Sequence, residues 1–95
     1  MQYLVIAYDK KDALNRRLEV RDTHIKGTKK LIAEGKIINA GVLMNENGTM
    51  IGSTLFIDFD TKEEIDEWLL NEPYVKNDVW DMSNFKMTPM KLLPK

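Results

Sequence analysis

Cysteine is absent from the sequence, and histidine occurs once, at His24. The first absence excludes disulfide frameworks, thiolate zinc sites and cysteine nucleophiles. The second leaves one strong nitrogen ligand, so no metal is expected. No apolar run approaches the roughly 20 residues needed to cross a bilayer, so no membrane association is expected. The start, Met1-Gln2-Tyr3-Leu4, lacks the basic stretch of a signal peptide. With the missing cysteine, this suits a cytoplasmic protein. An excess of charge is lacking too: 14 Lys and Arg face 15 Asp and Glu, for a formal net charge of −1. That balance argues against binding nucleic acid mainly through phosphates. Neither G-x-x-x-x-G-K-[ST] nor G-x-G-x-x-G occurs, and no cofactor is expected.

What is present is globular. The 95 residues are 43% apolar and 31% charged, which suits one domain over residues 1–95 with one modest core. Residues 3–8 form an apolar, β-branched and aromatic run that reads as a strand buried on both faces. A long amphipathic segment, 14–35, follows, with Gly35 as its stop. Residues 37–44 read as a second strand whose middle, Asn39-Ala40-Gly41, is small. The cluster Asn45-Glu46-Asn47-Gly48 is a turn. Residues 53–59 read as a third strand, with Leu55, Ile57 and Phe59 on one side. Thr61 and Glu64 fit a capping box opening a helix that buries Ile65, Trp68 and Leu69 and ends before Pro73. Residues 73–78 are a connector, 80–90 a last strand that lies at an edge near Pro89, and 91–95 a tail.

The order strand, helix, strand, strand, helix, strand is the ferredoxin-like arrangement: an α+β fold with an antiparallel sheet and both helices on one face. Such a sheet leaves its other face in water, yet the first and third strands are apolar on both sides. A second sheet from an identical subunit resolves this, so a homodimer through the sheet face is expected. At about 25 cal/mol per Å², a face of several hundred Å² contributes on the order of 10 kcal/mol before association costs.

At about 100° per residue, Arg17, Thr28, Leu31 and Gly35 fall within roughly 40° of His24, and Arg21 at about 60°. Leu14, Leu18, Ile25 and Ile32 occupy the adjoining arc, which places His24 on the border of an apolar stripe. Asp22 and Thr23 are good N-cap formers after the β-branched Val20, so a break into two helices is the alternative. His24 is either a general acid or base or a half-buried helix-edge histidine bonded to a neighbour. Arg17 and Arg21 can clamp an anion or simply be surface arginines. Glu72 can orient the histidine or stand in solvent. Gly41 and Gly52-Ser53 can open space for a ligand and offer a hydroxyl, although strand glycines more often mark bulges or close backbone approach. An RNA-binding sheet of this topology would need Phe56 and Phe85 supported by basic neighbours, which is not the pattern here.

An ordered set of residues resembles the YciI-like (YCII-related) family over nearly the whole chain. It comprises residues 3–8, Arg17-Leu18, Arg21-Asp22-Thr23-His24, Glu34-Gly35-Lys36, Gly41, Gly52-Ser53, Asn71-Glu72-Pro73-Tyr74, Val79 and Thr88-Pro89-Met90. The resemblance implies a ferredoxin-like fold paired into a dimeric α+β barrel. It also implies a cleft with a histidine–aspartate pair, and, in those members that are enzymes, small organic substrates including chlorinated aromatics. The family histidine falls on His24. The family aspartate falls on Glu72, one methylene longer. Arg17, Arg21, Gly52, Ser53 and Tyr74 complete the candidate ligand contacts. Two functions follow: a homodimeric enzyme using His24 and Glu72 for acid/base chemistry on a small organic substrate, or a non-catalytic small-ligand or partner-binding domain.

Overall fold

The computed structural model describes residues 1–94. Its elements are β1 (Gln2–Tyr8), α1 (Leu14–Ala33), β2 (Ile37–Met44), β3 (Met50–Asp58), α2 (Lys62–Asn71), α3 (Pro73–Lys76), a 3₁₀ turn (Met82–Asn84) and β4 (Lys86–Pro89). The four strands form one antiparallel sheet in the order β2-β3-β1-β4. This is the ferredoxin-like arrangement expected from the sequence. Pro89 is tolerated because β4 is an edge strand.

The core follows from strand alternation. Val5 and Ala7 of β1 and Leu55 and Ile57 of β3 point to the same face, joined by Phe59 just beyond β3. Ile65 and Trp68 of α2, with Tyr74, Val79 and Trp80, close over them. Thr61 caps α2, its hydroxyl accepting from the Glu64 amide at 3.2 Å. The Glu64 carboxylate turns instead to Lys36, 3.3 Å away, so only half of the capping box forms. At the other end of α1, Gly35 sits at φ +75°. Its amide donates to the Ile32 carbonyl and that of Lys36 to Leu31, a Schellman closure that needs the left-handed residue.

Three expectations are corrected. The first concerns α1, which is the single long segment expected, an unbroken helix of 20 residues rather than the two helices of the alternative. Arg17, His24 and Thr28 are buried on both sides of the suspected break, and this packing outweighs the capping preference of Asp22 and Thr23. Moreover, the face turned to the sheet is the polar ridge, while the apolar flank looks outward, with Leu18 51% and Ile32 40% exposed. Second, residues 80–90 are not one strand. Trp80 makes a single bridge to Asp9, and β4 covers only Lys86–Pro89. Between them the Asp81 carboxylate accepts from the Ser83 amide, the Ser83 hydroxyl and the Asn84 side chain, which winds the chain into a turn. Third, within one chain β1 is buried on one face only; Leu4 and Ile6 on the other are partly covered and Tyr8 is exposed. Residues 91–94 of the expected tail carry no helix or strand, and Lys95 lies outside the described residues.

Candidate active site

The site is built where α1 crosses the inner face of β2 and β3. On that face β2 offers Ala40 and Val42, paired with Leu55 and Ser53 of β3. The small residues in the middle of β2 do not fill the space beneath α1. A cavity of about 260 Å³ remains, bordered by Arg17, Arg21, His24, Ile25 and Thr28 of α1, by residues 40–42, and by Ser53 and Tyr74.

His24 projects from the centre of the inward ridge. Its Nδ1 lies 2.5 Å from Oε1 of Glu72, with the Glu72 side chain 4% exposed. A carboxylate only accepts, so Nδ1 carries the hydrogen in this contact and Nε2 of a neutral ring keeps a free lone pair. Glu72 is itself held. It stands between α2 and α3, extended at φ −68°, ψ 122°, as the residue before a proline prefers. Its Oε1 also accepts from the Tyr74 amide at 3.2 Å. The extra methylene of glutamate is thus compatible with direct contact to the ring.

Tyr74 stacks on His24 with ring centroids 4.0 Å apart and planes at 20°. Trp80 meets the imidazole edge-on at 6.2 Å. Burial pushes the Tyr74 phenol above its ordinary pKa, partly offset by the positive charges of Arg17 and Arg21. The Arg17 guanidinium lies over the Tyr74 ring, 4.5 Å from its centroid.

Arg17 was a candidate anion clamp, and it does clamp a carboxylate, that of Asp9 in its own chain. Its Nε and Nη2 donate to the two Asp9 oxygens at 2.6 and 2.9 Å, and Nη2 also donates to Ser53 Oγ at 2.8 Å. Trp80 Nε1 donates to the same hydroxyl oxygen at 3.2 Å. With both its lone pairs engaged, Ser53 Oγ has its own hydrogen left to give, and the residue borders the cavity. Arg21 borders the same cavity from an exposed position on α1. Gly52 does not. A Cβ there would stand 2.6 Å from the Ala7 carbonyl oxygen, so this glycine lets β1 approach β3.

Residues 1–87 match the YCII-related domain. The chain belongs to the YCII-related family. Protein YciI of Escherichia coli is 33% identical to it over 92 residues, covering 90% of this chain and 94% of that protein. Aspercryptin biosynthesis cluster protein B of Emericella nidulans is 30% identical, covering 99% of this chain and 67% of that one. Among solved structures, 5-chloro-2-hydroxyhydroquinone dehydrochlorinase (TftG) of Burkholderia phenoliruptrix, in complex with 2,5-dihydroxybenzoquinone, superposes with a TM-score of 0.82. It shares 21% identity and covers 96% of this chain and 94% of its own, a likeness of fold.

In this YCII-related chain, then, His24, Arg17, Arg21, Ser53 and Tyr74 border one cavity, Glu72 stands behind His24 and joins it through the ring contact, and Gly52 stands apart. Sequence reasoning missed Asp9 and Trp80, which fix Arg17 and Ser53. Asp9 ends a strand, and nothing in its spacing from Arg17 reveals the pairing before α1 folds back over the sheet. Among the described residues no group of three or more His, Cys, Asp or Glu side chains could hold a metal ion, and no helix is long and apolar enough to cross a membrane.

Proposed function

We propose that this protein is an enzyme in which His24 acts as general acid and base on a small oxygenated organic molecule held in the 260 Å³ cavity. The observation that carries the reading is the His24 Nδ1–Glu72 contact of 2.5 Å. Glu72 fixes the tautomer with Nε2 basic. When Nε2 takes a proton from the substrate, the adjacent carboxylate stabilises the imidazolium, which can then return the proton to a leaving or rearranging group. Glu72 accepts a hydrogen bond throughout and need not be protonated. The Ser53 hydroxyl is poised to donate to a substrate oxygen, and Arg21 adds positive charge at the cavity. The fold likeness to a dehydrochlorinase makes hydroxylated aromatics and quinones the first substrates to try.

The working unit we infer is a homodimer. Leu4 and Ile6 of β1 and Phe56 of β3 share the sheet face away from the helices, and Phe56 is 37% exposed. A second copy of the same face would cover them.

The test is turnover of a panel of chlorinated and unchlorinated hydroxyhydroquinones, followed by chloride release and ring absorbance. His24→Ala and Glu72→Gln should each lower the rate by about 10²–10⁴-fold with an unchanged circular dichroism spectrum. Full activity in His24→Ala would overturn the assignment. Tight binding by the wild type with no turnover across the panel would favour the non-catalytic ligand-binding alternative.

A further inference from the structure

The lining of the cavity beside His24 is one-sided in charge. It holds Arg17, Arg21, His24 and Lys29 and no Asp or Glu, in a chain of formal net charge −1. Two of these groups are answered from behind: Arg17 by Asp9 and His24 by Glu72. The other two are not. Among the described residues the ion pairs involve the terminal amine, Lys10, Arg17, His24, Lys36 and Lys62, and Arg21 and Lys29 take part in none of them. The sequence explains why. Arg21, Ile25 and Lys29 follow at four-residue steps, a single row along α1. The helical neighbours of Arg21 are Arg17, Leu18, His24 and Ile25; those of Lys29 are Ile25, Lys26, Ile32 and Ala33. None is acidic. Across the cavity, β2 carries no charged residue.

We propose that the ligand of this cavity is a small carboxylate, its charge held at the rim by Arg21 and Lys29. This rests on the reading of the cavity as a ligand site. Both side chains are exposed, so the anion stays partly hydrated and avoids the cost of a buried ion. Arg21 stands toward the Tyr74 end, where its charge helps to offset the effect of burial on the phenol. Lys29 follows about 12 Å further along the helix, eight residues at about 1.5 Å each, with Ile25 midway. The apolar body of the ligand rests on Ile25, Ile32 and Val42, and its reacting oxygen turns inward to His24. The cavity runs along the middle of α1 and not at its amino end, so the helix offers no free backbone amides to cradle a phosphate.

Two probes of nearly one shape differ in charge: 4-hydroxybenzoate and 4-hydroxybenzamide. Binding of each is followed by protein-detected NMR titration at low and high salt. At low salt the wild type should bind the benzoate about 3–10-fold more tightly, the combined effect of two exposed charge contacts, with shifts gathered at Ile25, Ile32 and Val42. Added salt should erode that preference and leave the benzamide unchanged. The double variant Arg21→Gln, Lys29→Gln should lose the preference, while Arg21→Lys, Lys29→Arg should keep most of it. Both pairs change exposed helix positions, so the circular dichroism spectrum should stay as it is. Equal binding of the two probes, a preference surviving in the glutamine variant, shifts gathered outside the cavity, or no binding of either probe would each overturn the proposal. So would phenyl phosphate binding about tenfold or more tighter than the benzoate, which would make this a phosphate site. Charge-dependent binding of the benzoate without turnover would support the carboxylate site while counting against catalysis by His24. Turnover of neutral hydroquinones that depends on His24, with no preference for carboxylates, would leave that catalysis standing and overturn the carboxylate site.

Discussion

His24 and Glu72 meet through one ring nitrogen, and the chemistry open to the site depends on which one. Because Nδ1 faces the carboxylate, Nε2 is the ring nitrogen left without that partner, and the proposed chemistry runs through it. Tyr74 adds a second residue-scale consequence, visible in stability. Burial raises its folded pKa above the ordinary value of 10.0. Below that pH the phenol is protonated in both folded and unfolded chains. Above it the unfolded chain loses the proton first, so the contribution to stability is complete below pH 10 and is lost as pH rises through the folded pKa. Urea unfolding at pH 9, 10 and 11 should therefore show a steeper alkaline loss in the wild type than in Tyr74→Phe. Equal slopes for the two proteins would mean that the phenol is well solvated.

At the scale of the element, α1 and α2 follow different rules. The second helix obeys its own sequence: Thr61 caps it, Ile65 and Trp68 face the core, and the chain bends at Glu72 before Pro73. Thr61→Ala should cost roughly 1 kcal/mol of folding stability without touching any ligand contact. Coincident urea midpoints for the two forms would show that the hydroxyl contributes nothing to the cap. The first helix is set by its surroundings. Its ridge of Arg17, His24 and Thr28 is buried against the sheet while the apolar flank of Leu14, Leu18 and Ile32 is exposed. Hydrophobic phasing alone points the helix roughly a quarter turn away. The polar ridge can face inward because Asp9 and Glu72 are there to receive Arg17 and His24. A buried charge left unpaired would be far more costly than an exposed leucine.

For the whole molecule the open question is the sheet face turned away from the helices. A clean monomer in sedimentation at micromolar concentration, with a folded spectrum, would rule out the homodimer; a species of twice the chain mass is the expected result. Ile6→Lys, placed in the middle of that face, should shift the species toward monomer. The cavity beside His24 is on the opposite face, under α1.

Strand and helix order, the Gly35 stop, the Thr61 cap and the bend at Pro73 were legible in the sequence because each is a local effect of a few neighbouring residues. The family resemblance picked out His24 and position 72 as partners, 48 residues apart. What the sequence could not supply was the direction in which α1 faces the sheet, since that depends on Asp9, Ser53 and Glu72 arriving from three separate elements. The same is true of residues 80–90, where Asp81 folds the chain into a turn that alternation alone reads as strand. Local propensity therefore decided which elements form, and tertiary pairing of buried polar groups decided which side of α1 became the site.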